Sequence, residues 1–166
     1  MLRAERSIHE FTYPSIDGGV IDFSEFKGKK LLVVNTASDC MYTDQYMQLQ
    51  ELFENYGDKI MVIGFPSNNF GEQEPGTNKE IKNFCSYKYG VTFPLASKSD
   101  VVGKDANPIF NWLTNQEFKN TLNKEISWNF QKFLLDEHGK LIEVFPPAAD
   151  PINDQLIEIA GIKSPA

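Results

Sequence analysis

The hydrophobic positions of this chain fall into two unbroken apolar runs, stretches with three-and-four spacing, and two alternating segments. Lys30-Leu31-Leu32-Val33-Val34-Asn35-Thr36 and Ile60-Met61-Val62-Ile63-Gly64-Phe65 are the unbroken runs. Runs this short and this apolar suit strands covered by helices on both faces. Between them Tyr46, Leu49, Phe53 and Tyr56 recur at spacings of three and four, which predicts a helix over 43–56 ended by Gly57. Strand, helix and strand make a right-handed βαβ unit. A polar stretch bearing Gly and Pro, 66–76, reads as a loop. Thr77 with Glu80 three residues on is a capping box that opens the next helix. A further helix is expected over 107–114 and a last one over 152–160. Segments 128–135 and 141–145 alternate around Glu137-His138-Gly139 and predict a β-hairpin. Upstream, Phe11-Thr12-Tyr13 and Val20-Ile21-Asp22 flank the turn-prone Ile16-Asp17-Gly18-Gly19, an N-terminal hairpin. A short helical turn at 24–27 ends at Gly28.

This order of elements is that of an α/β, thioredoxin-like fold: a central mixed sheet flanked by helices, with an N-terminal β-hairpin. With 166 residues, no internal repeat and no linker, a single domain over 1–166 is expected. A hydrophobic content of 41% with 23% charged residues is ordinary for a globular chain. The formal charge of −7 speaks against nucleic acid or anionic membranes as partners. No apolar run approaches the roughly 18 residues of a membrane helix. Met1-Leu2-Arg3-Ala4-Glu5-Arg6 lacks the apolar stretch of a signal peptide, so a cytoplasmic location is the default expectation. A periplasmic or exported form stays open if a leader was removed. The acidic residues, single or in small groups, read as a solvated surface. His9 and His138 read as solvated too, and no ligand pair has zinc-type spacing, so neither metal nor cofactor is expected.

Two cysteines, Cys40 and Cys85, are too few for a disulfide framework, which leaves reactivity as the question to ask of them. Cys40 falls in the connection from the first buried strand to its helix. In an open α/β sheet, chemistry sits outside the carboxyl ends of the strands. Backbone N–H groups at a helix start favour an anion, and a thiolate is one. A thiolate there can attack the O–O bond of a hydroperoxide and become a sulfenic acid. The alternative is a small buried hydrophobe, the ordinary fate of a free cysteine.

Three separated motifs extend this reading. Asn35-Thr36-Ala37-Ser38-Asp39-Cys40, the run from Gly64-Phe65-Pro66-Ser67-Asn68-Asn69-Phe70 through Gly71-Glu72-Gln73-Glu74-Pro75-Gly76, and Trp128-Asn129-Phe130-Gln131-Lys132-Phe133 resemble the glutathione peroxidase family in order and spacing. Gly90-Val91-Thr92-Phe93-Pro94 adds to the likeness, which covers the chain from Phe11 to about Ile159. The resemblance implies a thiol peroxidase acting on hydrogen peroxide and organic hydroperoxides. Cys40 would be the peroxidatic residue, with Gln73, Trp128 and Asn129 as its polar partners. Such groups suit the task, because a carboxamide and an indole N–H donate hydrogen bonds without titrating. Taken alone, a strand Trp packs in a core and a loop Gln faces water. Only the joint pattern points to function.

Some positions depart from the family pattern. Met41 stands where Gly is usual, Asp44 where Pro is common, and Ser67 where Cys is frequent. Asp39 would disfavour a neighbouring thiolate if it pointed inward, and it is expected to point away. Cys85 is a candidate resolving cysteine, yet in thioredoxin-using members that residue falls one position later, at Ser86 here. One helical residue turns a side chain by about 100°, so Cys85 can equally face the core. The Asn107–Trp128 segment is short, which resembles the monomeric, thioredoxin-using branch. Thioredoxin is therefore the expected reductant ahead of glutathione, and a monomer the expected state. A thiol–disulfide oxidoreductase needs a second cysteine where Thr43 stands, and a peroxiredoxin needs Pro and Thr where Val33 and Ala37 stand. The remaining rival is a peroxide sensor that relays oxidation to a partner with little turnover.

Overall fold

The computed structural model describes residues 6–116 and 125–162. The two apolar runs become β3 (Lys30–Thr36) and β4 (Ile60–Pro66), paired in parallel and joined by α1 (Gln45–Tyr56). The N-terminal hairpin is β1 (Thr12–Pro14) with β2 (Val20–Asp22), followed by a 3-10 turn at Phe23–Phe26. After β4 come α2 (Asn78–Tyr89) and α3 (Pro108–Thr114), then the hairpin β5 (Lys132–Leu135) and β6 (Leu141–Phe145), and finally α4 (Asp154–Ala160). The four-stranded sheet runs in the order β4-β3-β5-β6, with β5 antiparallel to both β3 and β6. Residues 117–124 of the Asn107–Trp128 connection lie outside the described residues.

Alternation along the central strand splits the core in two. Leu32 and Val34 face the layer that holds Tyr46, Leu49 and Leu52 of α1, Ile81 and Cys85 of α2, and Leu156 of α4. Leu31 and Val33 face Ile109, Phe110 and Leu113 of α3 together with Ile8, Phe11 and Phe23. Every residue of β3 after Lys30 is buried, as a strand covered on both faces requires. The Thr77–Glu80 capping box forms, each side chain accepting from the other's backbone N–H. Gly90 closes that helix in the left-handed conformation at φ +61°. Gly57 follows α1 as expected but stays right-handed at φ −63°.

Three expectations need correction. Alternation over 128–135 predicts a strand through Trp128, yet β5 begins only at Lys132 and Trp128–Asn129–Phe130 form a turn. The cause is Asn35 at the end of β3. Its amide donates to the Trp128 carbonyl at 3.0 Å, its side-chain oxygen accepts from Gln131 N–H at 3.1 Å, and its backbone carbonyl accepts from Phe130 N–H. Phe130 is held at φ +67°, outside strand geometry. Second, the acidic residues do not all lie on the surface, and a lysine is buried as well. Glu74 and Lys132 are each 1% exposed, and the Lys132 ammonium donates to the carbonyls of Pro147 and Ala149 at 2.9 and 2.5 Å. Third, His9 is half-buried rather than solvated, and burial and Lys27 lower its pKa; His138 is exposed.

Candidate active site

The topology brings three distant segments to one edge. The loops after the parallel strands β3 and β4 leave from their carboxyl ends. Because β5 is antiparallel to β3, with Val34 opposite Lys132, the turn that precedes β5 arrives at that same edge. The first loop carries Cys40, the second Gln73, and the turn carries Trp128 and Asn129.

The Cys40 loop is wound tightly. Thr43 Oγ1 accepts from the Cys40 N–H and donates to the Ala37 carbonyl, both at 2.9 Å, while the Thr43 N–H returns to the Cys40 carbonyl at 3.0 Å. A run of such three-residue turns leads into α1, which starts at Gln45, two residues later than the sequence pattern predicts. Cys40 is half-buried, and the Tyr42 N–H points at its Sγ from 3.3 Å, a backbone donor for a thiolate. Asp39 is exposed, and Met41 beside it is 83% exposed.

The second loop is fastened to the first. The Asp39 N–H donates to the Gln73 carbonyl at 3.0 Å, and the Ser38 hydroxyl to Glu74 Oε2 at 2.9 Å. Asn68 Oδ1 accepts from the Glu74 N–H at 2.9 Å, and the Ser67 N–H reaches the Thr36 carbonyl at 3.0 Å. Asn129 is fully buried; its amide nitrogen donates to Gln73 Oε1 at 3.0 Å and to the Phe70 carbonyl at 3.3 Å. With its oxygen so engaged, the Gln73 carboxamide keeps its N–H groups for other acceptors. The Trp128 indole packs on Phe70 with ring centres 5.8 Å apart. Beneath it Gly71, at φ +66°, leaves no room for a side chain: a Cβ there would stand 2.9 Å from Trp128 Cη2 and 3.4 Å from Gln73 Cδ.

Gln73, Trp128 and Asn129 thus stand together, and Cys40 follows directly on the residue bonded to the Gln73 backbone. Cys85 is elsewhere. It is fully buried on α2 in the layer with Tyr46, and burial pushes its thiol up to about 11. Ser86, the next residue, is exposed. The Tyr46 hydroxyl lies near the Cys85 thiol and Thr36, with no hydrogen bond of full geometry to either, and burial raises its pKa well above the ordinary value.

Four residues that hold this site in place were not singled out by the sequence reading: Asn35, Ser38 and Glu74, which stand within the quoted motifs, and Thr43. Asn35 left one trace, a carboxamide inside an otherwise aliphatic strand. Among the described residues no group of three His, Cys, Asp or Glu side chains is placed to hold a metal ion. No helix among them is long and apolar enough to cross a membrane.

Comparison with known proteins gives a consistent picture. The family model for glutathione peroxidase matches residues 8–114. A Synechocystis protein named hydroperoxy fatty acid reductase gpx1 is 44% identical, over 90% of this chain and 92% of its own. The glutathione peroxidase-like peroxiredoxin 2 of Saccharomyces cerevisiae is 44% identical over 85% of this chain and 88% of its own. The crystal structure of T. cruzi GPX1 superposes with a TM-score of 0.71 at 32% identity, covering 94% of this chain and 97% of that one. A thioredoxin family protein from Chlorobium tepidum, at 19% identity and TM-score 0.61 over 90% of this chain and 92% of its own, shares the fold. On these matches the chain belongs to the glutathione peroxidase family, a peroxidase built on the thioredoxin-like fold.

Proposed function

We propose that Cys40 is the peroxidatic residue and that Gln73, Trp128 and Asn129 serve it as uncharged polar partners. The observation that carries this reading is the junction of the two loops and the turn. Asn129 occupies the Gln73 oxygen, which leaves the Gln73 N–H groups free, and the Gln73 backbone is bonded to Asp39, the neighbour of a cysteine whose sulfur already receives the Tyr42 N–H. The Cys40 thiolate attacks one oxygen of the hydroperoxide. An S–O bond forms, the O–O bond breaks, and the leaving oxygen takes a proton to depart as water or an alcohol. Neutral donors stabilise the sulfur anion and the departing oxygen without placing a charge in the pocket.

Hydrogen peroxide and organic hydroperoxides are the proposed substrates. The name of the Synechocystis relative, a hydroperoxy fatty acid reductase, supports the organic class, as does the exposed Met41 side chain next to Cys40. The sulfenic acid is returned to thiol by two reducing equivalents, which we assign to thioredoxin ahead of glutathione, acting on a monomer. The yeast relative is named a glutathione peroxidase-like peroxiredoxin, which supports a thiol-based cycle. The formal charge of −7 disfavours glutathione, a small anionic thiol. Cys85 can resolve Cys40 only if α2 unwinds near its end. As folded, its thiol is sealed and protonated, so direct attack of the reductant on the sulfenic acid is the simpler cycle.

Steady-state peroxide consumption tests this. Wild type, Cys40→Ser and Cys85→Ser are each given thioredoxin with its reductase, or glutathione with its reductase, and NADPH. Turnover is expected with thioredoxin, none in Cys40→Ser, and retained turnover in Cys85→Ser. A single burst equal to the enzyme concentration means a sensor instead. Turnover that survives Cys40→Ser rejects the assignment.

A further inference from the structure

Among the described residues Glu74 is the one buried carboxyl tied to the loop that carries Cys40. It is 1% exposed, it follows Gln73 directly, and Ser38, its hydroxyl donor at 2.9 Å, lies two residues before Cys40. Its backbone N–H is taken by Asn68 Oδ1. Together with the Asp39 N–H bond to the Gln73 carbonyl, the Ser38–Glu74 contact forms a double staple between the two catalytic loops.

Resting on the reading of Cys40 as the peroxidatic residue, we propose that Glu74 is a positioning residue of the site whose own proton gates the reactivity of Cys40. The staple holds in either state, since Ser38 donates to the carboxylate as well as to the acid, and while the carboxyl is neutral no charge stands behind the loop. Once it ionises, a buried anion faces the Cys40 loop and disfavours a second anion at the sulfur. The surroundings leave that balance close to neutrality. Burial raises the carboxyl to about 7 against the opposing pull of Ser38 and Lys98. Lys98, the cation that acts on it, spends its ammonium on the Gly76 carbonyl at 2.9 Å. From the helices the facing titratable groups are Cys85 of α2 and Tyr46 of α1, both protonated near neutral pH, and Asp39 on the Cys40 loop is exposed. Two residues of chain span at most about 7 Å. With the Ser38 side chain, the hydrogen bond and the Cys40 side chain added, the carboxylate lies within about 15 Å of the thiol, where one buried charge at an effective dielectric of about 20 is worth about fivefold or more in thiolate population.

The test follows Cys40 alkylation by iodoacetamide and, on the same samples, its oxidation by hydrogen peroxide, between pH 5.5 and 8.5. Glu74→Gln keeps the shape and the acceptor for Ser38 but cannot ionise. Its rate relative to wild type is expected to be near one at pH 6 and to rise to about fivefold at pH 8. Ser38→Ala keeps the carboxyl and removes its donor, so its carboxyl ionises at a higher pH and its rate relative to wild type is expected to rise above one where only the wild-type carboxyl has ionised. This variant decides the matter if Glu74→Gln does not fold. A ratio that stays constant with pH, or a Ser38→Ala profile that superposes on wild type, overturns the gate. Alkylation reads the thiolate without any peroxidase role. A gate seen in alkylation with no peroxide oxidation of Cys40 rejects the function and keeps the gate; peroxide oxidation with parallel profiles does the reverse.

Discussion

Replacing Gly71 with alanine perturbs the Trp128–Gln73 arrangement at one atom. Two costs follow from the structure. The backbone at φ +66° is left-handed, and an alanine held there costs about 1 kcal/mol. The added Cβ would also stand 2.9 Å from Trp128 Cη2 and 3.1 Å from Cζ2, where carbon atoms normally rest at about 3.5 Å or more. The indole, or the loop under it, must yield by about half an ångström. Misplacing a reacting group by about 1 Å can cost about a hundredfold, so half of that predicts about a tenfold loss in the rate of Cys40 oxidation. Gly103 is the control, since it is also left-handed at φ +81° but has nothing within 4 Å of its Cβ position. Gly103→Ala should therefore lose about the same 1 kcal/mol, about 2–4 °C in Tm for a chain of this size, with an unchanged rate. Stopped-flow mixing with hydrogen peroxide and a thermal melt of both variants read the two effects separately. A Gly71→Ala protein that reacts at the wild-type rate would refute the claim that the indole position matters. Equal slowing in Gly103→Ala would point to general loosening instead.

Further expectations concern the groups around this centre. Asn35→Ala removes the bonds to Trp128 and Gln131 inside the core and should cost about 2–3 kcal/mol in denaturant unfolding while slowing Cys40 oxidation; a stable variant of full activity would contradict the clamp. Cys85, with its thiol raised to about 11, should alkylate in the native protein at pH 8 at least about a hundredfold more slowly than Cys40, as peptide mass spectrometry would show. Comparable labelling would mean that α2 opens. Glu74 holds its proton up to about 7 when folded, but only to its ordinary value of 4.5 when unfolded, so wild type loses stability as pH rises between those values. The stability of Glu74→Gln relative to wild type should therefore improve by about 2–3 kcal/mol from pH 5 to pH 8. A pH-independent difference would show that the carboxyl is not held neutral.

Periodicity made the strands and helices legible because each answers to its own neighbours. The aliphatic runs of β3 and β4 and the Thr77–Glu80 cap are all local, and each stands where the pattern put it. The turn at Trp128 was not legible, since alternation over 128–135 imitates a strand and the bonds that break it come from Asn35, 93 residues away in sequence. Charge misled for a related reason. Glu74 and Lys132 look like surface residues until Ser38 and the carbonyls after β6 supply their partners. The resemblance singled out Gln73, Trp128 and Asn129, and the fold brings these three together. For Cys85 the 100° helical turn already left the core open as a destination, and that is where its side chain lies.

The proposed chemistry stands on the sulfur of Cys40, and its most direct test is to add one equivalent of hydrogen peroxide in the presence of dimedone and map the adduct by peptide mass spectrometry. One adduct per chain, confined to Cys40 and missing from Cys40→Ser, is the predicted result. A Cys40 peptide that stays unmodified while peroxide is consumed would contradict it.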